Sequence, residues 1–377
     1  MNNVICHIST VHKLFDNRIF FKECISLSEE GYITHLLISN KKNTEIKKIK
    51  ISKLPLWKNR IIRFLIKDLI ALAKALRINA DIYHIHDPEL LWYGWIIRKI
   101  FKKKVIYDVH EFVREQIENK GWLKRIHLSK LFSRLYVMLE KYLIKSFNAI
   151  ILAVPEMVGT YSYYKNKVVL RNLPILKKIQ NAVQQETREK HMKKVVIYPG
   201  TLSHDRGITN LIISMEYLPP DYELWLLGNW SNRTYELKCK SLEGWEKTKY
   251  FGKKQPEEVY KLLKLADVGV QLVLPTEQYN KFDYPVKVFE YLAAGLPVVI
   301  SDLENKRKLF GNTVYFTDPS DPRKIADSLR EVAQDKDLRK KLIHTGYYFV
   351  KKYSWENEKG ILLNLYKEVL SSSHSRR

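Results

Sequence analysis

The chain has 377 residues, 45% of them hydrophobic, and carries a formal net charge of +24. This length exceeds what one hydrophobic core usually serves, so we expect two domains, and the hydrophobic content excludes a mainly disordered chain. The three cysteines (Cys6, Cys24 and Cys239) are far apart. Their spacing excludes a disulfide framework or a cysteine-based metal cluster and favours a reducing cytoplasm.

The excess of basic residues predicts a polyanionic partner. The sequence shows no zinc-finger spacing, no aromatic string of the RNA-recognition type and no helix-turn-helix pattern, so we expect no nucleic acid and favour an anionic membrane surface. The N-terminus does not read as a secretory signal, and the apolar runs are far shorter than the ~20 residues that span a bilayer. We therefore expect a cytoplasmic protein, bound peripherally at the inner face of the membrane.

Strands and helices alternate through residues 1–175, which predicts a parallel sheet with helices on both faces. The predicted strands are residues 4–9, 33–39, 81–87, 105–111, 149–154 and 167–174, and a helix is predicted at 18–31. Polar residues cluster where these strands end, and ligands bind beyond the carboxyl ends of the strands in open α/β sheets. We therefore take these polar residues as site candidates.

Two basic amphipathic segments, residues 59–77 and 122–145, lie in this first half. Each has an apolar stripe at helical spacing, formed by Ile62, Leu65, Ile66, Leu69, Ala73 and Leu76 in the first and by Leu128, Leu131, Phe132, Leu135, Leu139 and Tyr142 in the second. We expect both stripes to pack on the sheet and the lysines and arginines on the other faces to attract anionic lipid.

Residues 176–194 are polar, charged and glycine-free, which predicts a linker. The alternation resumes over residues 195–357, with predicted strands at 195–200, 223–229, 249–253, 268–274 and 297–302. The sequence therefore predicts an α/β protein of two Rossmann-like, doubly wound domains that face a cleft.

The most informative stretch, residues 284–302, reads YPVKVFEYLAAGLPVVISD. Lys287 and Glu290 are three residues apart, so they share one face of a helix, and Pro285 suits the start of that helix. A loop that leads into a helix presents free backbone N–H groups, which suits phosphate. Lys287 can neutralise a phosphate there, and Glu290 can accept hydrogen bonds from ribose hydroxyls. The stretch therefore predicts a site for a nucleoside diphosphate.

This string is similar to the nucleotide-sugar signature P-x-K-x-F-E-Y of a subgroup of the family-4 retaining glycosyltransferases. The resemblance implies the GT-B fold, with the last helix, residues 358–370, returning to the first domain. It also implies that a sugar moves, with retention, from a nucleotide-diphosphate donor to a hydroxyl of a glycan or polyprenyl-linked glycan. This hexosyltransferase-like reaction would serve bacterial surface polysaccharide synthesis, with no cofactor or metal.

The resemblance also assigns donor-binding residues. Glu290 matches the second glutamate of the family's E-x7-E motif, which contacts the ribose, while the first position, where the family grips the donor sugar, is Phe282. The loop at 198–207 resembles the family's phosphate-gripping loop, with Arg206 and Gly207 in place of Lys-Gly. The implied donor-binding set is Gly200, Thr201, Arg206, Gly207, Gly228, Lys287 and Glu290, in which Arg206 and Lys287 neutralise the departing diphosphate.

The first half carries residues that the resemblance implies for the acceptor side. The string from His12 through Asp16 to Arg18 is similar to an H-x-x-x-D-x-R-I string that would line the cleft near the acceptor and the diphosphate. His110 matches a histidine that relatives place near the transferred sugar, which makes it a catalytic candidate with Arg206 and Lys287. The strand-end residues His86, Asp87 and Glu111 are candidate partners of acceptor hydroxyls.

Two other functions remain open from the sequence. A nucleotide-sugar 2-epimerase shares this fold but needs carboxylates near the sugar and no second substrate. A basic scaffold that binds membrane or nucleic acid explains the charge but leaves the string at 284–302 unexplained.

Overall fold

The computed structural model describes residues 3–57, 66–120, 125, 127–184, 193–276 and 284–372. The chain forms two compact units. The first contains the residues up to Asn172 together with those from Asn357 onwards, and the second is Leu173–Glu356. Each unit is a doubly wound α/β layer structure, which is the arrangement predicted from the alternating strands and helices.

The first unit is built on an eight-stranded sheet with the order β3-β4-β2-β1-β5-β6-β7-β8. Its strands are β1 (Val4–Lys13), β2 (Ile33–Ser39), β3 (Thr44–Ile46), β4 (Ile49–Leu54), β5 (Ile82–Ile85), β6 (Lys104–Val109), β7 (Ala149–Leu152) and β8 (Lys167–Val169). All neighbouring strands are parallel except β3, which pairs antiparallel with β4. The short hairpin β3–β4 lies in the lysine-rich stretch for which the sequence predicted no strand.

Helices connect these strands. They are a π-helical turn (Ile19–Cys24) that runs into α1 (Ile25–Glu29), then α2 (Asp68–Ile78), α3 (Leu91–Lys99), α4 (Val113–Asn119), α5 (Ser129–Ile144) and α6 (Met157–Thr160). The strands β5 and β7 are buried along their whole length, as expected for the centre of a parallel sheet covered on both faces.

The second unit contains a six-stranded sheet of parallel pairs, with the order β11-β10-β9-β12-β13-β14. Its strands are β9 (Lys194–Pro199), β10 (Tyr222–Leu227), β11 (Thr248–Tyr250), β12 (Val268–Gln271), β13 (Val298–Ser301) and β14 (Tyr315–Thr317). Its helices are α7 (Leu176–Gln184), α8 (Ile208–Ser214), α9 (Arg233–Lys240), α10 (Pro256–Leu265), α11 (Val286–Ala293), α12 (Glu304–Phe310), α13 (Pro322–Gln334) and α14 (Lys336–Lys352).

The predicted linker at 176–194 begins with a helix. Within α7, Ile179 and Val183 are buried in the core of the second unit, and Lys178 forms an ion pair of 2.8 Å with Glu257 on α10. Two apolar residues four positions apart supply the buried side of a short amphipathic helix, which the high polarity of the segment obscured.

The last helix, α15 (Trp355–Ser371), contributes its residues from Asn357 onwards to the first unit. Glu358 accepts hydrogen bonds from the backbone N–H and the guanidinium of Arg171, and the Tyr366 hydroxyl lies 2.6 Å from Nδ1 of His84. Among the described residues, none of the helices is both long enough and apolar enough to cross a membrane.

The expectation that the apolar stripes pack on the sheet is wrong for most of their described residues, although Leu76 of the first stripe is partly buried against the core. In α2, Ile66 just before the helix and Leu69 within it are exposed, whereas Ala71 and Ala75 are buried. Ile62 and Leu65 of this stripe lie outside the described residues. The buried ammonium of Lys67, at the start of α2, donates to the carbonyl of Thr10 and to the Ser39 hydroxyl, which turns the apolar stripe outwards.

The stripe of α5 is exposed as well. All six of its residues are among the exposed large hydrophobic side chains, namely Leu128, Leu131, Phe132, Leu135, Leu139 and Tyr142. The buried residues of α5 are Ser133, Glu140, Leu143 and Ile144, and the last two belong to the hydrophobic core. Ser133 donates to Glu118 at 2.8 Å, and Glu140 accepts from the hydroxyls of Tyr136 and Tyr161. The inner face of α5 is therefore partly polar, and the apolar stripe lies on the outside.

Candidate functional site

A pocket in the second unit lies at the carboxyl ends of β9 and β10, the edge of the sheet at which ligands of this fold class bind. Its volume is about 240 Å³. The residues that line it are Pro199, Gly200, Thr201, Leu227, Gly228, Asn229, Lys253, Lys254 and Val259. Three predicted donor-binding residues, Gly200, Thr201 and Gly228, therefore share one pocket.

Two glycines bring bare backbone to the wall of this pocket. Gly200 has φ +147° and Gly228 has φ +134°, conformations that residues with a side chain rarely adopt. A Cβ added to Gly228 would collide with the carbonyl oxygen of Gly200. The two backbone turns can approach each other this closely because residue 228 is a glycine.

Lys287 lies beside the same turn. It is the second residue of α11, and its ammonium nitrogen is 4.0 Å from the centre of the Tyr198 ring. A Cβ added to Gly200 would collide with this ammonium nitrogen. The structure therefore brings a positive charge to the edge of the pocket, where the start of α11 also presents backbone N–H groups.

Glu290 follows one helical turn later, and the Tyr260 hydroxyl of α10 donates to its Oε1 at 3.4 Å. Burial raises the pKa of Tyr260, with a further contribution from the charge of Glu290, so the hydroxyl stays protonated and can donate. Tyr260 directly follows Val259, which lines the pocket. Tyr260 thus links Glu290 to α10, the helix that also carries Val259.

Arg206 and Gly207 lie in the loop that follows β9. The short 3-10 helix His204–Arg206 ends at Gly207, whose φ is +70° and whose added Cβ would collide with the carbonyl of Leu272. Arg206 is half-buried. The predicted residue Phe282 lies outside the described residues.

Two residues of the pocket were missed by the sequence analysis. Lys253 and Lys254 lie in the loop after β11 and add two positive charges to the pocket wall. The Gly-Lys-Lys run after a predicted strand was the available signal.

In the first unit, the buried carboxylate of Asp108 joins several of the predicted residues. Arg18 binds it in a bidentate way, with Nε donating to Oδ2 at 2.7 Å and Nη2 to Oδ1 at 2.8 Å. Nε2 of His110 lies 2.9 Å from Oδ2, and Nδ1 of His86 lies 3.4 Å from it. Burial alone would raise the pKa of Asp108, but Arg18 and His110 hold it well below its usual range.

His12 and Asp87 form a second pair in this unit. Nδ1 of His12 is 3.2 Å from Oδ1 of Asp87, and the backbone N–H of Thr10 donates to Oδ2 at 2.6 Å. Burial lowers the pKa of His12, but the hydrogen bond and charge of Asp87 outweigh burial and raise it overall. Asp87 therefore binds His12 and favours its protonated form.

Several candidates for the acceptor side have internal partners. Arg18, His86 and Asp87 are buried. Asp16 accepts from the backbone N–H groups of Arg18 at 2.8 Å and of Ile19 at 2.9 Å, and so caps the turn that begins there. Arg18 is thus a buried support for Asp108 and does not line an open surface, whereas His110 is partly exposed.

Glu111 is exposed and accepts from the side chain of Gln116 at 2.7 Å. Four further residues, which the sequence analysis did not assign to the site, lie buried among these groups. They are His7, Glu23, His84 and Tyr366. Within the described residues, the groups of side chains that could hold a metal ion are His7, Glu23, His84 and His86, and His86, Asp108 and His110.

Residues 179–348 match the model of the family described as "Glycosyl transferases group 1". The match supports a glycosyltransferase. The chain is 28% identical over 203 residues to O-antigen chain mannosyltransferase B of Escherichia coli, an alignment that covers 52% of this chain and 49% of the relative. It is 39% identical over 66 residues to a putative teichuronic acid biosynthesis glycosyltransferase of Bacillus subtilis, covering 17% of this chain and 16% of the relative.

Solved structures resemble the chain over nearly its whole length. Sucrose-phosphate synthase from Thermosynechococcus elongatus matches with a TM-score of 0.75 at 18% identity, covering 99% of this chain and 100% of that one. Anabaena HepE in complex with UDP and glucose matches with a TM-score of 0.70 at 12% identity, covering 97% and 100%. The chain therefore has the GT-B fold that the sequence predicted.

Proposed function

We propose that the protein transfers a sugar from a nucleotide-diphosphate donor to a hydroxyl group of a glycan or polyprenyl-linked glycan, with retention, in surface polysaccharide synthesis. The observation that carries this proposal is the pocket after β9 and β10. One of its lining residues, Gly200, lies against the ammonium group of Lys287. Each of the three parts of a nucleoside diphosphate has a counterpart here. The glycine backbone of the pocket wall adjoins the base, the lysine neutralises the phosphates, and the nearby glutamate binds the ribose.

Each donor-binding residue then has a role. Lys287 and Arg206 neutralise the diphosphate as it leaves, and Glu290 accepts hydrogen bonds from the ribose hydroxyls. The base enters the pocket of about 240 Å³ next to Lys253 and Lys254. Because cationic side chains and a helix start stabilise the leaving group, we propose that the transfer itself uses no metal.

On the acceptor side, we propose that His110 orients the donor sugar and the acceptor. Asp108, held by Arg18, fixes the ring of His110 through Nε2. The leaving phosphate takes the proton of the acceptor hydroxyl, so the reaction requires no separate protein base. His12 and Glu111 are the more exposed candidates for contacts with acceptor hydroxyls.

The nature of the acceptor is supported by the names of the relatives, an O-antigen chain mannosyltransferase and a putative teichuronic acid biosynthesis glycosyltransferase. Both names point to a glycan product of those proteins. We extend this acceptor class to the present chain as a proposal.

A thermal-shift panel tests the donor assignment. Nucleoside diphosphates and their sugars are added to the purified protein at low and moderate salt. We expect stabilisation by one base in preference to the others, and this stabilisation should persist at moderate salt. Uniform shifts that salt abolishes would show only a surface that binds polyanions.

We also propose that α5 docks the protein on the inner face of an anionic membrane. Six apolar side chains of its stripe are exposed, and Met138 beside them is 68% exposed. The cations near this stripe are Lys130, Arg134, Lys141 and Lys145. Exposed apolar residues flanked by cations are the composition of helices that lie in a lipid interface. Because the stripe is open, apolar insertion joins the electrostatic attraction expected from the sequence.

A further inference from the structure

Four side chains that could bind a metal converge in the core of the first unit. His7 comes from β1, Glu23 from the π-helical turn after it, and His84 and His86 from β5 or its end. All four are at most 1% exposed. This cluster, called the buried histidine cluster below, consists of His7, Glu23, His84 and His86.

Hydrogen bonding within the cluster is incomplete: His7 Nδ1 and His86 Nε2 share a hydrogen bond of 2.9 Å, whereas Glu23 lies too far from the three imidazoles to form one. Oε2 of Glu23 lies 3.9 Å from Nδ1 of His7, 3.9 Å from Nδ1 of His84 and 3.8 Å from Nε2 of His86. These separations are too long for hydrogen bonds. Among the described residues, neither carboxylate oxygen of Glu23 has a hydrogen-bond partner, although Oε1 is 3.1 Å from Nε of Arg18. A buried carboxylate oxygen left in this state is costly.

The spacing suits the ligands of a single ion. Ligands bound tetrahedrally at about 2.1 Å lie roughly 3.4 Å from one another. Here the three distances from Glu23 are slightly longer, and the separation of Nδ1 of His7 from Nε2 of His86, 2.9 Å, is slightly shorter. The four candidate ligand atoms all lie within 4.8 Å of one another.

The charges point the same way. Two buried carboxylates, Glu23 and Asp108, face one guanidinium, that of Arg18. The local charge is therefore negative unless a cation or a proton is added.

We propose that the buried histidine cluster binds one zinc ion, with Glu23 and the three imidazoles as its ligands. Three imidazoles and one carboxylate suit Zn²⁺ better than Mg²⁺ or Ca²⁺, which prefer oxygen ligands. Because the chain supplies all four ligands and the site is closed, the ion has a structural role. The ion is no part of the transfer reaction.

Neighbouring groups would orient the ligands. Oδ2 of Asp108 lies 3.4 Å from Nδ1 of His86, the ring nitrogen that faces away from Glu23. The Tyr366 hydroxyl is 2.6 Å from Nδ1 of His84 and 3.3 Å from Nε2 of His7. When His84 binds the ion, the Tyr366 oxygen accepts from Nε2–H of His7 instead. Such outer partners are usual for histidine ligands.

The metal content of the full-length protein tests this proposal directly. The protein is purified without chelators and without a polyhistidine tag, dialysed, and analysed by inductively coupled plasma mass spectrometry. We expect about one zinc per chain. Refolding with Co²⁺ in place of zinc should produce visible absorption of a four-coordinate cobalt site. Folded protein that contains less than a tenth of a zinc per chain, and takes up neither Zn²⁺ nor Co²⁺ on refolding, would overturn the proposal and assign the missing charge to a proton on Glu23.

A pair of variants locates the site. Glu23→Gln should lower the zinc content at least tenfold, while His35→Gln, a change of a half-buried histidine on β2 outside the cluster, should leave it unchanged. Glu23→Gln protein with the zinc content of the unaltered chain would contradict the assignment. If Glu23→Gln does not fold, the metal content and cobalt spectrum of the unaltered chain still decide the question.

Discussion

The ammonium nitrogen of Lys287 lies 4.0 Å from the centre of the Tyr198 ring. Tyr198 lies near the end of β9, two residues before Gly200, so the cation stands beside the backbone that lines the pocket. An aromatic face attracts a cation without cancelling its charge. The contact therefore positions Lys287 and leaves it charged, which is what the binding of a diphosphate requires.

Removal of this charge tests its role. Lys287→Met keeps most of the side-chain length, and we expect it to lower kcat/KM at least about 100-fold, because the diphosphate loses a cation in the transition state. Arg206→Ala should have an effect of the same order. Initial rates of nucleoside diphosphate release measure both.

The matched control is Lys238→Met, which removes an exposed lysine on α9 of the same unit. Its kcat/KM should equal that of the unaltered protein. Circular dichroism should show all three variants folded. Near-normal turnover in both Lys287→Met and Arg206→Ala would remove the assignment of the diphosphate site.

Gly200→Ala tests the backbone wall of the pocket. The added Cβ would meet the ammonium of Lys287, and the φ of +147° is strained for alanine. We expect a loss of about 1–3 kcal/mol in the free energy of unfolding from the strain and a much weaker affinity for the nucleotide.

Gly295→Ala separates these two effects. Gly295 also has a positive φ, +73°, but a Cβ there meets no atom within 4 Å. This variant should lose stability yet bind nucleotide normally, as judged by chemical denaturation and by calorimetric titration. Equal nucleotide affinities for the two variants would contradict the place given to Gly200.

Asp108→Asn tests how much the buried Asp108 carboxylate stabilises the first unit. The amide replaces the Asp108 carboxylate, which binds the buried guanidinium of Arg18 in a bidentate way. Breaking a buried ion pair costs roughly 3–5 kcal/mol in the free energy of unfolding. Asp302→Asn is the control, because Asp302 pairs with Arg307 on the surface and its loss should matter far less. Urea denaturation of both variants measures the difference. Equal losses in the free energy of unfolding would show that the buried Asp108 carboxylate stabilises the protein no more than the surface carboxylate of Asp302.

The exposed stripe of α5 gives a test of membrane docking. Leu135→Glu combined with Met138→Glu places two carboxylates on the apolar stripe, and we expect binding to anionic vesicles to fall at least tenfold. Leu237→Glu changes an equally exposed leucine on α9 of the second unit and should leave binding unchanged. Co-sedimentation with vesicles provides the measurement. Undiminished binding by the double variant would exclude this stripe as the docking surface.

The residues proposed for the donor side could be selected from the sequence because their signals are local. Lys287 and Glu290 stand three residues apart in one string, and the glycines that follow strands mark their own turns. The role of Arg18 was out of reach for a single sequence, since its partner Asp108 is 90 residues away. The resemblance implied that Arg18 lines the cleft, whereas the fold buries its side chain.

The orientation of α5 shows a second limit. An apolar stripe normally marks the buried side of a helix. Here the inner face contains Ser133 and Glu140, which form hydrogen bonds with the distant residues Glu118 and Tyr161. A sequence pattern shows which residues share one face of a helix. Whether that face is buried depends on residues elsewhere in the fold.

The most direct test of the proposed function is a transfer assay. A panel of nucleotide sugars is supplied with a lipid extract that contains polyprenyl-linked glycans, and released nucleoside diphosphate is measured together with labelled glycolipid. We predict that one donor gives both products, that the new bond keeps the anomeric configuration, and that Lys287→Met gives neither product above background. Release and transfer that proceed equally well with Lys287→Met, or binding of the nucleotide sugar with no transfer under any condition, would contradict the proposal.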